Sequence, residues 1–268
     1  MFTIWRNSIV TMVSTSSKAK ILFVVEGEVA EVSFLKSFQK YIPIDIEEEI
    51  VTYRTNIYQL YSSLFREGEG ADLIRVLKNR EKDEKKREVL NQPFVEVYLL
   101  FDYDLHDSQY TDTKILELMD YFDNSTENGL LLLNYPMLES YRHLKKIPDY
   151  EYRHRSVKLI DVPHYKYTVK HEGFFYDVPN QRIMYEIVRH NIDKLNYINH
   201  HRTNVFTLEA DIEDELKAFL RTTIGFKNRK HLVNVMNTGS LLGYAYAPKR
   251  MSMIIKDYVN REYGDLGV

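Results

Sequence analysis

The stretch V-E-V-Y-L-L-F-D-Y-D-L-H-D, residues 95–107, decides how the rest of the chain is arranged. Its first half is a nearly unbroken run of strand-forming apolar residues, which is typical of a buried central strand. The run ends at Asp102 and Asp104, and Asp107 follows in the next turn. Because ligands of open α/β sheets bind at the carboxyl ends of the strands, these acids are candidate ligands of a hard cation. The alternative is that they accept hydrogen bonds from turn amides and that Asp107 caps the next helix.

A second strand followed by carboxylates lies far upstream. Residues 20–38 read K-I-L-F-V-V-E-G-E-V-A-E-V-S-F-L-K-S-F, in which a buried-type strand runs into Glu26 and then into helical spacing. Gly27 permits a sharp turn between the strand and the helix. Glu31 falls in the first turn of that helix, where an acid also suits the helix dipole.

Parallel, adjacent strands would bring Glu26, Asp102 and Asp104 to one edge of the sheet. Like charges this close are tolerated only with a cation between them or with raised pKa values. Carboxylates in a chain without cysteine, and without evident histidine ligands, favour Mg²⁺ or Mn²⁺. The sequence therefore predicts a divalent-metal site with these three acids as the catalytic residues.

The pattern E-G-x-x-x-E after one strand and D-x-D after a later one resembles the TOPRIM domain, the Mg²⁺-dependent fold of topoisomerases, primases and OLD-type nucleases. In particular, E-G-E-x-x-E resembles RloB- and AbiL-like TOPRIM proteins of bacterial phage defence, which also carry an N-P-x-x-E-like element. Residues 131–141, L-L-L-N-Y-P-M-L-E-S-Y, supply such an element in Asn134, Pro136 and Glu139. The resemblance covers roughly residues 19–145, and it departs from the stricter E-P-x-Y-F continuation where this chain reads E-V-S-F.

The resemblance implies a metal-dependent nuclease that hydrolyses DNA or RNA, tRNA included, as an effector of anti-phage defence and abortive infection. It also implies control by a separate ATPase, since this chain has no G-x-x-x-x-G-K-[ST] loop of its own. One or two Mg²⁺ or Mn²⁺ ions are expected as cofactors. The predicted metal ligands are Glu26, Glu31, Asp102, Asp104, Asp107 and Glu139.

The order of the apolar segments favours an α/β fold, with a TOPRIM-like, mostly parallel sheet flanked by helices and a largely helical C-terminal region. Residues 1–18 are predicted to be an N-terminal arm and residues 19–145 the catalytic domain. A basic, aromatic insert and the helical region are expected in residues 146–268. We also expect an edge strand at residues 50–53 and one helix over residues 73–89.

Lys and Arg outnumber Asp and Glu between residues 142 and 172, and tyrosines are interleaved with them. Basic side chains neutralise phosphates, and tyrosine rings stack on unpaired bases, so this segment is predicted to bind nucleic acid. The alternative is a surface connection whose aromatic side chains pack locally. A lysine that stabilises the phosphorane charge is expected among Lys145, Lys146 and Lys158. The predicted nucleic-acid contacts are Lys145, Lys146, Arg153, Arg155 and Lys158.

Composition narrows the class of protein. With 44% hydrophobic and 28% charged residues, the chain has the composition of a soluble globular protein. It has no cysteine, which excludes disulfides and thiolate metal sites and fits the cytoplasm. No apolar run is long enough to span a membrane. The net charge of −3 argues against a whole surface devoted to nucleic acid, and a homo-oligomer is compatible with all of these features.

Two other functions stay open at this point. A non-catalytic TOPRIM-like subunit would only bind or regulate, but such a module would be expected to lose the acids that are present here. A haloacid-dehalogenase-type phosphatase also places D-x-D after a hydrophobic strand, with Asp102 as nucleophile and Asp104 as acid. Against it, Leu105-His106 stands where Gly-Thr is expected, and the acids around Glu26 are left unexplained.

Overall fold

The computed structural model describes residues 20–44, 47–65, 71–175, 177–178 and 180–264. The predicted N-terminal arm, residues 1–18, lies outside the described residues. Among the helices of the described ranges, none combines the length and the apolar character needed to cross a membrane.

A five-stranded sheet occupies the first half of the described chain. Its strands are β1 (Lys20–Val25), β2 (Glu47–Thr52), β3 (Glu96–Asp102), β4 (Asp123–Asn124) and β5 (Gly129–Asn134). The order in the sheet is β2-β1-β3-β5-β4; the first four are parallel, and β4 pairs with β5 in the antiparallel sense. Every residue of β5 is buried, as expected for a strand covered on both faces. The mostly parallel α/β sheet and the edge position of the second strand are therefore confirmed.

Helices flank the sheet and form most of the C-terminal region. The first half contains α1 (Ala30–Tyr41), α2 (Ile57–Leu64), α3 (Leu73–Arg80), α4 (Glu84–Val89) and α5 (Asp112–Tyr121). The second half contains α6 (Tyr165–Glu172), α7 (Gln181–His200), α8 (Ile212–Lys230), α9 (Leu242–Tyr246) and α10 (Pro248–Tyr263). Two short strands of the second half, β6 (Ser156–Lys158) and β7 (Leu232–Asn234), form a small antiparallel pair. The largely helical C-terminal region is thus confirmed.

The single helix predicted over residues 73–89 is wrong, because the chain breaks between α3 and α4. Asp83 has extended backbone angles, and its Oδ1 accepts hydrogen bonds from the amides of Lys85 and Lys86 at 2.9 and 3.3 Å. Aspartate is favoured at a helix N-cap because its carboxylate satisfies amides that have no partner inside the helix. The spacing of charged residues over 73–89 did not indicate that Asp83 caps a second helix instead of continuing the first.

The C-terminal region packs on the edge of the sheet where the parallel strands end. Tyr135, directly after β5, exchanges two backbone hydrogen bonds of 2.8 Å with Met236, and its ring meets that of Phe219 at 5.0 Å between centroids. The buried apolar side chains of both halves belong to one cluster. The domain boundary at residues 145 and 146 stays a prediction, and the hydrophobic core runs across it.

Candidate metal centre

Glu26 and Asp102 meet because β1 and β3 are neighbours. The parallel register sets Val25 opposite Leu100, so each strand reaches the same edge of the sheet with its acid. The Glu26 amide donates to the Leu100 carbonyl at 3.2 Å, and the Asp102 amide donates to Glu26 Oε2 at 3.2 Å. The predicted convergence of these two residues at the carboxyl edge is confirmed.

Glu139 joins them from the next strand. β5 pairs with β3 so that Asn134 lies opposite Asp102, and the chain then turns through the cis Tyr135–Pro136 bond. A 3-10 helix begins at Leu138, whose amide donates to Asp102 Oδ1 at 2.7 Å. Glu139 is the second residue of this helix, and its Oε2 is buried without a hydrogen-bond partner.

Glu31 reaches the same site from the first turn of α1, where it is buried. Gly27 makes room for it, since a Cβ at that position would come 2.7 Å from Glu31 Oε2. The close approach explains why a glycine follows Glu26. The predicted turn at Gly27 therefore leaves the space that the Glu31 carboxylate occupies.

The four acids form one electrostatic group. Burial, followed by the charges of Glu31 and Asp104, raises the pKa of Glu26 to about 7, although the Asp102 amide opposes the shift. Burial and the neighbouring carboxylates also hold the pKa of Asp102 well above its usual range. The pKa of Glu31 is raised by burial and by the charge of Glu139. These acids therefore repel one another, and a cation among them would relieve that repulsion.

Asp104 and Asp107 lie at the margin of this group. Asp104 has φ of 40°, so the chain turns sharply directly after β3, and its Oδ1 lies 3.2 Å from His106 Nε2. Burial raises the pKa of Asp104. Asp107 accepts hydrogen bonds from Asn56 Nδ2 at 2.6 Å and from the Gln109 amide at 2.7 Å. One Asp107 oxygen thus serves its own turn and the other binds the N-cap residue of α2, whereas the following helix is capped by Thr111, so the expected helix-cap role of Asp107 is wrong.

Lys166 is the cation that sequence reasoning missed. Its Nζ lies 3.1 Å from Glu139 Oε1, and its charge lowers the pKa of Glu26, Glu31 and Asp104. Partial burial opposes the charged form of Lys166, but the neighbouring carboxylates outweigh it and raise its pKa. The signal in the sequence was weak: Lys166 begins an i, i+4 pair with Lys170 on the exposed face of α6.

The predicted nucleic-acid contacts lie elsewhere. Arg153 pairs with Asp193 at 3.0 Å and Arg155 with Asp149 at 2.7 Å, with only 12% and 10% of the two arginine side chains exposed. Arg153 ties the segment to α7, and Arg155 pairs with a residue of the segment itself, which corrects the expectation that they form an open basic surface. Lys146 and Lys158 are exposed, and Lys145 pairs with Glu172 at 2.6 Å. Lys166, rather than one of the three predicted lysines, is the lysine paired with the acidic group.

The residues fit a divalent cation in their chemistry, although they are not yet arranged around one. Within the described ranges, no three Asp, Glu or His side chains are already grouped so that they could hold a metal ion. The potential donors are nevertheless carboxylate oxygens, which Mg²⁺ prefers, and Glu139 Oε2 is a buried acceptor with no donor. Glu26, Glu31, Asp102 and Glu139 are the residues that would hold the ion, with Asp104 beside them.

Comparisons of the chain with protein-family models, with curated proteins and with solved structures gave no match. The family resemblance noted in the motifs stays a prediction.

Proposed function

We propose that this protein is a divalent-metal-dependent nuclease that hydrolyses phosphodiester bonds at the carboxyl edge of its parallel sheet. The observation that supports it is that acids following three adjacent parallel strands converge there beside Lys166, and that burial together with neighbouring carboxylates raises the pKa of Glu26 and of Asp102. The charges of Glu139, Asp102 and Glu31 all act on Lys166, so carboxylates outnumber this cation. Excess buried acid is costly unless a cation or a reaction makes use of it.

Each residue has a chemical part in such a reaction. A bound Mg²⁺ would activate water and neutralise charge on the phosphate. The pKa of Glu26 is about 7 in the metal-free protein, so a cation bound there would displace its proton near neutral pH and use the carboxylate as a ligand. The Lys166 ammonium, 67% exposed at the side of the cluster, is placed to stabilise negative charge on phosphoryl oxygens.

The TOPRIM-like assignment is part of the same proposal. Glu26, Asp102 and Glu139, which carry the three motif elements, follow β1, β3 and β5, and these strands lie side by side in the sheet. The resemblance adds an anti-phage effector role and a separate ATPase as the controlling partner. Hydrolysis can be measured with the pure chain, without the partner protein.

The test is to incubate the protein with plasmid DNA, single-stranded DNA and bulk tRNA in Mg²⁺, in Mn²⁺ and in EDTA. We expect cleavage of at least one substrate with metal and none in EDTA. Glu26→Gln and Asp102→Asn should each lower the rate by roughly 10- to 100-fold, the usual cost of losing a group that supports a metal site.

Glu48→Gln is a matched control for these variants. Glu48 also has a pKa raised to about 7 by burial, but it lies near the start of β2, opposite Ile21, at the other end of the sheet. This variant should keep full activity. Cleavage that persists in Glu26→Gln, or that is equally lost in Glu48→Gln, would contradict the assignment. Binding of nucleic acid with no cleavage in any metal would instead favour a non-catalytic module.

A further inference from the structure

A groove of about 340 Å³ opens beside the acidic group, between the 3-10 helix that carries Glu139 and the helix α6. Glu139 belongs both to the acidic group and to the wall of the groove, and its partner Lys166 also lines the groove. The groove is therefore continuous with the proposed reaction site. Its volume falls in the range of roughly 300–1,000 Å³ found for sites that bind small organic groups.

The chemistry of the groove is cationic on one side and aromatic on the other. Lys166 and Lys170 stand one helical turn apart on α6, and Arg142 faces them from the 3-10 helix, where it also lies 3.7 Å from Asp177. Phe174 and Phe175 complete the wall, and 60% of Phe174 is exposed to solvent. An exposed aromatic ring among cations suits a ligand that has both phosphate and a flat ring.

The backbone holds Phe174 in place. Its amide donates to the Leu144 carbonyl at 2.7 Å, and the preceding Gly173 amide donates to the Val169 carbonyl at 2.8 Å. At Gly173 a Cβ would come 2.4 Å from the Arg142 carbonyl oxygen, so the two chain segments touch through their backbones. Phe174 is thus presented by a fixed connection at the end of α6.

We propose that this groove binds one nucleotide of a single-stranded nucleic acid, with its phosphate on Lys166 and Lys170 and its base stacked on Phe174. A base can stack on a protein ring only when it is unpaired, because the bases of a duplex stack on one another. The inference builds on the proposed function and specifies its substrate class: a single strand or an unpaired end or loop, rather than an intact duplex. DNA and RNA share this chemistry.

The test measures binding without cleavage. Fluorescence anisotropy in EDTA would follow labelled oligothymidine, oligouridine and a DNA duplex of the same length. The wild-type protein should bind the single strands more tightly than the duplex. Phe174→Ala should weaken single-strand binding by about fivefold or more, whereas Phe174→Trp should keep it, as expected for stacking.

Two further variants separate stacking from charge and from general surface effects. Lys170→Ala should flatten the plot of log K against log salt by about 0.7, the value for one phosphate contact on a single strand. Met253→Ala removes a side chain that is 64% exposed on α10, away from the groove, and should bind like the wild type. The ratio of oligouridine to oligothymidine affinity then shows which nucleic acid is preferred.

Three results would overturn the inference: no single-strand binding by the wild type, unchanged binding by Phe174→Ala, or an equal loss for the duplex. Failure of the groove assignment can be told apart from failure of the proposed nuclease function. If Phe174-dependent binding is found but no metal supports cleavage, the nuclease proposal fails and the groove assignment stands. If cleavage depends on Glu26 but binding ignores Phe174, only the groove assignment fails.

Discussion

At the scale of single residues, Glu26 shows how a carboxylate acquires unusual chemistry from its neighbours. Its Oε2 accepts the Asp102 amide, which favours the charged form, yet burial and nearby acids outweigh this hydrogen bond. The sequence predicted that Glu26 would meet other acids, because it follows a buried strand. It could not predict the size of the pKa shift, since that depends on how deeply Glu26 is buried and on how near the charges of Glu31 and Asp104 lie.

The raised pKa of Glu26 predicts how stability depends on pH in metal-free protein. Since the folded state keeps the Glu26 proton up to pH of about 7 and the unfolded state loses it near the ordinary value of 4.5, the folded state binds more protons in between. The Glu26 contribution to the free energy of unfolding therefore falls as pH rises from about 4.5 to 7. Its size is on the order of 1–3 kcal/mol, because one pKa unit corresponds to about 1.4 kcal/mol.

Urea unfolding in EDTA checks this, with wild type and Glu26→Gln compared at each pH. The comparison is needed because burial lowers the pKa of His143 and of His190 to about 4, which makes their contributions rise with pH. Glu26→Gln should gain stability relative to wild type between pH 5 and 8. If the difference in free energy of unfolding between Glu26→Gln and wild type is the same at every pH, Glu26 does not titrate in this range.

Gly27 gives a second prediction at this scale. In Gly27→Ala the new Cβ would collide with Glu31 Oε2, and the flexible glutamate side chain would move away from the acidic group. We expect metal-dependent cleavage to fall by up to about 10²-fold, as for a misplacement of roughly 1 Å, with a stability change below about 1 kcal/mol. Gly225→Ala on α8, where a Cβ meets only the Arg229 side chain, is the control. Equal activity of the two variants would show that the position of Glu31 does not matter.

At the scale of elements, the sequence predicted the strands well because continuous apolar runs ending in acids are strong local signals. The parallel order followed from the alternation of strands and helices. The basic segment was harder to predict, since ion pairs and backbone contacts over long sequence distances decide which of its side chains face inward. Arg155 is held by Asp149 and by the His143 carbonyl, whereas Lys166 is carried to Glu139 by α6. Charge counting could not distinguish these two outcomes.

The inward position of Arg155 predicts a structural effect of its removal. Arg155→Ala leaves the Asp149 carboxylate, 1% exposed, without its guanidinium partner, and we expect a loss of about 3–5 kcal/mol in the free energy of unfolding. Lys158→Ala, three residues on and exposed, should change stability by no more than about 0.5 kcal/mol. Both are measured by urea unfolding. If Arg155→Ala were as stable as Lys158→Ala but bound nucleic acid more weakly, the prediction that Arg155 contacts nucleic acid would be supported instead.

At the scale of the whole molecule, the acidic group is supported from both halves of the chain. The acids come from the sheet and α1, the lysine comes from α6, and Asn237 Nδ2 holds the Leu138 carbonyl at 3.0 Å beside Glu139. The arrangement therefore depends on the shared core and not on one motif. Sequence motifs identified the acids, and the fold identified the cation and the groove next to them.

Calorimetric titration of Mg²⁺ at pH 8 in inert buffer measures whether these carboxylates bind a divalent cation. The wild type and Glu48→Gln should show the same saturable binding, because Glu48 lies at the other end of the sheet. Glu26→Gln and Asp102→Asn should bind at least about tenfold more weakly, the lower end of what loss of a group that supports a metal site costs. Absence of Mg²⁺ and Mn²⁺ binding by the wild type, or unchanged binding by Glu26→Gln, would show that the acidic group is not the metal site.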